Sequence, residues 1–340
     1  MRFATRPTRG AGAVLRVAAC AAAWLLAGCS GNPRLAELAA PAGLPAAVDL
    51  DATPFHPQVE HQCGPAALAT VLGAAGQVVE PDALTREIYV PERAGSLQPE
   101  IVAAVRARDL LPVQAGPGLD SVMAEVAAGH PVLVLQQLGM GPWPAWHYAV
   151  VVGYDTASGR ILLRSGVERR QWMRAAVFDA TWERGGRWGL VVLEPGVLPA
   201  DPDLQRYIAA AAGLEAVGRL DAAERSYRAA SERWPQAALP VLGLANIAAA
   251  RGDWAEAERR YRTVLVEHPG AASALNNRAE SLRQLGCPNI ARAVIVEGRP
   301  AIPAGDPLLP QLEHTLAEIE ADARARPVDP SQCEAYGSGR

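Results

Sequence analysis

The chain has 340 residues, half of them apolar and a fifth charged, with a formal net charge of −4. That length suggests two domains, and the apolar fraction is enough to give each a real core. The mild negative balance lacks the basic footprint that nucleic-acid binding demands, so no nucleic-acid partner is expected.

Taken in chain order, the first segment is an address. Arg2, Arg6, Arg9 and Arg16 precede an apolar run, Val17 to Ala27, that is too short to span a bilayer and reads as a secretory signal. It ends in Leu26-Ala27-Gly28-Cys29-Ser30. This ending resembles the lipobox of bacterial lipoproteins. The resemblance implies removal of residues 1–28, acylation of Cys29 and, with Ser30 following, delivery to the outer membrane. The expected location is therefore the bacterial outer membrane, lipid-anchored through Cys29 and facing the periplasm. Several acyl chains anchor firmly, at about 0.8 kcal/mol per buried CH₂. Residues 29–50, rich in Ala, Pro, Gly and Leu, read as a flexible tether.

The first domain is read over 51–198. Ala67, Leu68, Val71, Leu72 and Ala75 recur at helical spacing after Cys63-Gly64-Pro65, which predicts a buried helix over 64–75 with Gly76 as its stop. Pro65 suits a first turn, where its missing N–H is no loss. Short helices are expected at 81–90 and 98–108, and another at 119–128 before the break at Gly129-His130-Pro131. Strands are expected at 132–135, 148–154, 160–164 and 190–193, the second and third joined by the turn 155–159. Helices first and strands afterwards make an α+β domain with an antiparallel sheet.

Residues 199–203 carry two prolines and two aspartates and mark a linker into a second domain, 199–325. Here the sequence repeats. Ala211, Ala245 and Ala279 are 34 residues apart, as are Gly218, Gly252 and Gly286, then Ala223, Ala257 and Ala291, then Pro235, Pro269 and Pro303. Tyr227, Tyr261 and Ile295 keep the same interval. The pattern resembles the tetratricopeptide repeat, two antiparallel helices per unit, which implies an all-α solenoid of three repeats. Residues 308–325 read as its capping helix and 326–340 as a tail. The concave face of such an array would take a protein or peptide partner, with the amides of Asn246, Asn276 and Asn277 as candidate contacts. If the two domains are separate modules, removing 204–325 should leave the first one folded.

Cys63 opens a helix, where the dipole stabilises a thiolate, and His147 opens the apolar run 148–152. A thiol so placed, with an imidazole brought beside it as general base and acid, is the arrangement papain-like enzymes use. Cys20 leaves with the signal and Cys29 carries lipid. If Cys63 stays free, Cys287 and Cys333 remain to pair; the alternative is three reduced thiols. No cysteine shows metal-ligand spacing with a histidine, and no metal or other cofactor is expected.

The residues Pro57-Gln58, Gln62-Cys63-Gly64-Pro65-Ala66-Ala67-Leu68, Gly129-His130-Pro131-Val132-Leu133-Val134 and His147-Tyr148-Ala149-Val150-Val151-Val152-Gly153-Tyr154-Asp155 together resemble the C39-like family of cysteine peptidases. The resemblance implies a papain-like fold and cleavage of peptide bonds, with Cys63 as nucleophile, His147 as general base and acid, and Gln58 in the oxyanion hole. Gln58 stands one residue closer to Cys63 than is usual in the family, which leaves Gln62 as a competing donor. The family's third member is an Asp; at that position this chain has Ser165, which accepts a hydrogen bond but cannot balance an imidazolium charge. Asp155 belongs to the hairpin turn and is expected to point away. His56 and His61 read as loop residues, and Trp143, Trp146 and Trp172 as core or rim. Two functions follow: a membrane-anchored cysteine peptidase whose repeats recruit a protein or peptide, or an inactive peptidase-like scaffold.

Overall fold

The computed structural model describes residues 42–58, 62–139, 144–325 and 333–337. The signal, Cys29, most of the tether, His61 and Trp143 lie outside the described residues. No described helix is long and apolar enough to cross a membrane.

The sheet is antiparallel and seven-stranded. Its path runs β4 (Leu111–Gln114), β9 (Gly189–Leu193), β5 (Val132–Gln137), β6 (Trp146–Asp155), β7 (Arg160–Ser165), β8 (Glu168–Arg174). β1 (Ala47–Asp49) pairs with β6 just beyond the point where β5 leaves it, Ala47 opposite Asp155 and Asp49 opposite Gly153. Residues 47–49 therefore belong to the sheet. This corrects the reading of the whole of 29–50 as tether, and it happens because the apolar edge of β6 outlasts β5. A short second hairpin, β2 (Tyr89–Val90) with β3 (Gly95–Ser96), stands apart.

Both faces of the sheet are covered. Helices α1 (Cys63–Ala74), α2 (Pro81–Ile88) and α3 (Gln98–Arg106) pack on one face. Leu68, Val71 and Leu72 of α1 meet Leu133, Val150 and Leu162 there, all at most 1% exposed. Each such side chain contributes about 1.5–3 kcal/mol on burial. The other face takes α4 (Leu119–Ala127), α5 (Ala175–Arg184) and then α6 (Leu204–Ala216), the first helix of the repeats.

The unpredicted strands have reasons for their silence. β8 is an edge strand of mostly exposed polar residues with no apolar alternation to read. β4 is the opposite edge and tolerates Pro112, which a central strand would not.

Helices α6 and α7 (Leu220–Arg233), α8 (Ala238–Ala250) and α9 (Trp254–Glu267), α10 (Ala272–Gln284) and α11 (Pro288–Gly298) form three antiparallel pairs, closed by α12 (Leu309–Ala325). Gly218, Gly252 and Gly286 all turn with φ between +75° and +78°, a backbone that side chains resist. The periodic alanines 211, 223, 245, 257, 279 and 291 are all fully buried, because helices this close leave no room for more than a methyl group. Cys287 is bonded to Cys333, with Cα atoms 5.7 Å apart, which holds the tail segment against the last repeat. Closing that 46-residue separation contributes about 4 kcal/mol in the chain-entropy account.

The two regions share packing, which bears on whether they are separable modules. One apolar cluster runs without a break from Leu111, Val113, Val191 and Leu193 of the sheet through Tyr207, Ile208, Ala211 and Leu214 of α6 to Tyr227 and Leu244. The linker is pinned as well. Buried Glu125 accepts from the Asp201 N–H at 3.0 Å and meets His130 Nδ1 at 2.9 Å, while Asp203 caps α6 through the Arg206 N–H. The expected partner amides are also engaged internally. Asn246 Oδ1 accepts from the Tyr261 hydroxyl (2.8 Å) and from Asn277 Nδ2 (3.4 Å), and Asn277 Oδ1 accepts from Asn276 Nδ2 (3.2 Å).

Candidate active site

Cys63 is the first residue of α1, half-buried and unpaired. Gln62 makes no side-chain cap, and the first turn holds no acidic residue. The N–H groups of Cys63 and Gly64 thus stay without intrahelical acceptors at the positive end of the dipole. Gly64 is required by its neighbour: a Cβ there would stand 2.6 Å from Ser96 Oγ. The small residue lets β3 close against the start of α1.

His147 is the second residue of β6, half-buried, and burial lowers its pKa below the usual imidazole value. Its Nε2 meets Ser165 Oγ at 2.9 Å, at the end of β7. With Nε2–H donating to the hydroxyl, Nδ1 is the nitrogen free to exchange a proton. No carboxylate bonds the ring among the described residues. Asp155 accepts from the Ala157 and Ser158 N–H groups and the Ser158 hydroxyl, which hold its carboxyl below the usual range within its own turn.

Gln58 reaches the same place by a separate route. Its backbone N–H donates to Gly166 O at 2.9 Å, and its Nε2 donates to Tyr148 O at 3.3 Å. The segment ahead of it is anchored by Arg164, buried at 2% exposure, whose guanidinium donates to the carbonyls of Asp51 and Thr53. One amide hydrogen of Gln58 remains for another acceptor.

Cys63, His147 and Gln58 line one cleft of about 1020 Å³. Gln62 does not line it, whereas Gln58 and Gln98 both do. Trp146, 58% exposed, forms part of the rim; Trp172 and His56 do not line the cleft. Tyr148 backs the site. Its ring meets Trp188 edge-on at 5.8 Å, and its hydroxyl donates to Ser96 O at 3.3 Å. Burial, then the charges of Cys63 and Glu100, raise its pKa, so the phenol stays protonated. Sequence reasoning missed Arg93, Ser96 and Arg184 in the wall. Arg93 and Ser96 sit on the 3₁₀ turn Pro91–Arg93 and on β3, elements too short to carry a periodic signal, and Arg184 is a charged residue at the end of α5 that its own helix gives no reason to place in a cleft. Among the described residues, no three His, Cys, Asp or Glu side chains cluster as metal ligands would.

A twisted antiparallel sheet with a thiol-bearing helix on one face and an imidazole at the head of a central strand defines a papain-like fold. Residues 50–188 match the model of the Peptidase_C39 like family, so the first domain is a C39-like peptidase domain. The helical remainder lies outside that match and has the form of a repeat solenoid. Among solved structures the chain is similar to a Bacillus anthracis protein described as a C39-like peptidase, at 17% identity over 43% of this chain and 97% of that one, TM-score 0.39. It is also similar to the peptidase domain of Streptococcus ComA, a bifunctional ABC transporter of a quorum-sensing pathway (18% identity, 42% of this chain, 98% of that one, TM-score 0.34). For the helical part there is the second TPR domain of human RPAP3, solved with an HSP70 peptide (18% identity, 34% of this chain, 92% of that one, TM-score 0.30). No curated protein matches the chain.

Proposed function

We propose that the chain is a membrane-anchored cysteine peptidase in which Cys63 and His147 cleave peptide bonds and the repeats recruit a protein or peptide partner. The observation that carries this reading is the meeting of Cys63, His147 and Gln58 in one cleft, with His147 Nε2 held by Ser165.

The Cys63 proton passes to His147 Nδ1, and the thiolate attacks the scissile carbonyl carbon. The resulting oxyanion takes hydrogen bonds from the Cys63 backbone N–H and from Gln58 Nε2. His147 then returns its proton to the leaving amine, which departs and leaves a thioester on Cys63. Water, deprotonated by the same ring, hydrolyses the thioester and restores the thiol. Lipid on Cys29 would hold the enzyme at the outer membrane, facing the periplasm.

A thiol-directed activity probe is expected to label the wild type and spare Cys63→Ala, with His147→Ala abolishing turnover; equal labelling of both thiol states sinks the assignment. Cys29→Ser is expected to move the protein from the membrane to the soluble fraction. One observation favours a second reading, an inactive peptidase-like scaffold: Ser165 stands where the family has a carboxylate. Peptide turnover by the wild type refutes it, and turnover that appears only in Ser165→Asp supports it.

A further inference from the structure

The cleft is charged against the sign of the chain. The protein carries a net charge of −4, yet among the described residues the lining holds two arginines, Arg93 and Arg184, and no Asp or Glu. Acidic groups are in easy supply elsewhere. Arg187, three residues after Arg184, pairs with both Asp179 and Glu183. Arg108 takes Glu87, and Arg170 takes Asp49 and Asp51. Neither cleft arginine has a carboxylate partner among the described residues. Glu100 is close enough to Tyr148 to raise its pKa, but it does not line the cleft.

Arg184 is held as a preformed fork. Its Nε donates to Gln137 Oε1 at 3.0 Å, and its Nη2 donates to Gln137 O at 3.0 Å. Gln137 is itself buried at 9% exposure, so the guanidinium is fixed from behind by groups that carry no charge. Its Nη1 hydrogens have no acceptor among the described residues. A guanidinium held in this way loses little freedom when it meets a second planar acceptor. Beside it, Gly185 is excluded from bearing a side chain, because a Cβ would lie 2.1 Å from Leu135 O; its absence lets the backbone at the end of α5 lie against β5 next to the fork. Arg93 stands at the tip of the β2–β3 turn, exposed and unpaired, followed by Ala94 at φ +48°. It adds long-range attraction rather than a fixed bond.

We propose that the cleft selects peptides bearing an acidic side chain next to the scissile bond, with Arg184 clamping the carboxylate and Arg93 steering it in. The proposal deepens the thiol-peptidase reading and rests on it for the word "scissile". The charge of the cleft does not depend on that reading.

Two measurements on the full chain separate the two. First, kcat/KM is compared across matched fluorogenic peptides that differ only in Glu, Gln or Lys at positions flanking the cleaved bond. The Glu peptide is expected to lead the Gln peptide by about 10- to 100-fold, the range a hydrogen bond to a charged group supplies. Arg184→Gln should bring that ratio toward one, and Arg184→Glu should transfer the preference to the Lys peptide. Equal rates for Glu and Gln in the wild type overturn the proposal while leaving the peptidase reading intact. Second, Cys63 is alkylated with iodoacetate and with iodoacetamide. The rate ratio reads the local charge whether or not any peptide is cut. The anionic reagent is expected to be favoured in the wild type and to lose that advantage in Arg184→Gln and Arg93→Gln, the latter being an exposed tip with no packing role. No turnover of any peptide would defeat the peptidase reading. A reagent ratio that neither variant changes would defeat this one.

Discussion

At the scale of single residues, the site turns on what stands behind His147. A carboxylate there would favour the imidazolium; a hydroxyl does not, and burial then favours the neutral ring. Ser165→Asp is expected to raise the His147 pKa by about one unit or more, read from the ring proton shifts in an NMR titration. The acid limb of kcat/KM should move up with it, because the ring must be neutral to take the Cys63 proton. The burial effect also has a stability consequence. The folded pKa lies below the unfolded value, so the stability owed to the neutral ring is complete above pH 6.5 and is lost as pH falls from there through the lower folded value. Arg164, next door, has a different task. Its guanidinium ties down the carbonyls of Asp51 and Thr53, and so sets the approach of the chain to Gln58. Arg164→Ala leaves those carbonyls without their donor and should cost roughly 3 kcal/mol or more in a urea melt, with activity falling as Gln58 loses its position.

At the scale of elements, β6 carries the argument. It has a bulge between Val151 and Gly153, and the bulge changes which face its residues meet. Val150 and Val152 pack toward α1, whereas Ala149, Val151 and then Tyr154 pack on the other side. Strict alternation would send Tyr154 with Val152. Gly153 makes room for β1, since a Cβ there would lie 2.4 Å from Val48 O. Gly153→Ala is therefore expected to lower stability by about 1–3 kcal/mol, measured by thermal or urea unfolding, because backbone and not a flexible side chain must move. The helical elements obey a simpler rule. A glycine every 34 residues at positive φ, and an alanine at each close crossing, suffice to stack three pairs.

At the scale of the whole molecule, the repeats are part of the peptidase domain's own core. The sheet face formed by β4 and β9 would be bare without Tyr207, Ile208 and Leu214. Deleting 204–325 is expected to give a truncated domain that loses its cooperative unfolding transition and binds a hydrophobic dye, rather than a free-standing enzyme. A folded, active 1–203 fragment would show that the sheet can do without α6. Coupling of this kind would give any partner that bound the repeats a rigid connection to the sheet that carries His147.

What the sequence alone determined is local chemistry and period. The thiol at a helix start, the imidazole at a strand start, the glycine and alanine of each repeat and the apolar strands β5, β6, β7 and β9 are legible because each is written within a few residues or at a constant interval. Tertiary structure decided what depends on distant segments. The strand β1 exists because β6 offers it an edge, and β8 because β7 does; neither has an apolar pattern of its own. Arg184 became a cleft residue only when Gln137, far off in sequence, held it, and Ser96 only when Gly64 let it approach. The union of the two domains was invisible for the same reason: an apolar residue announces that it will be buried, but not against which partner.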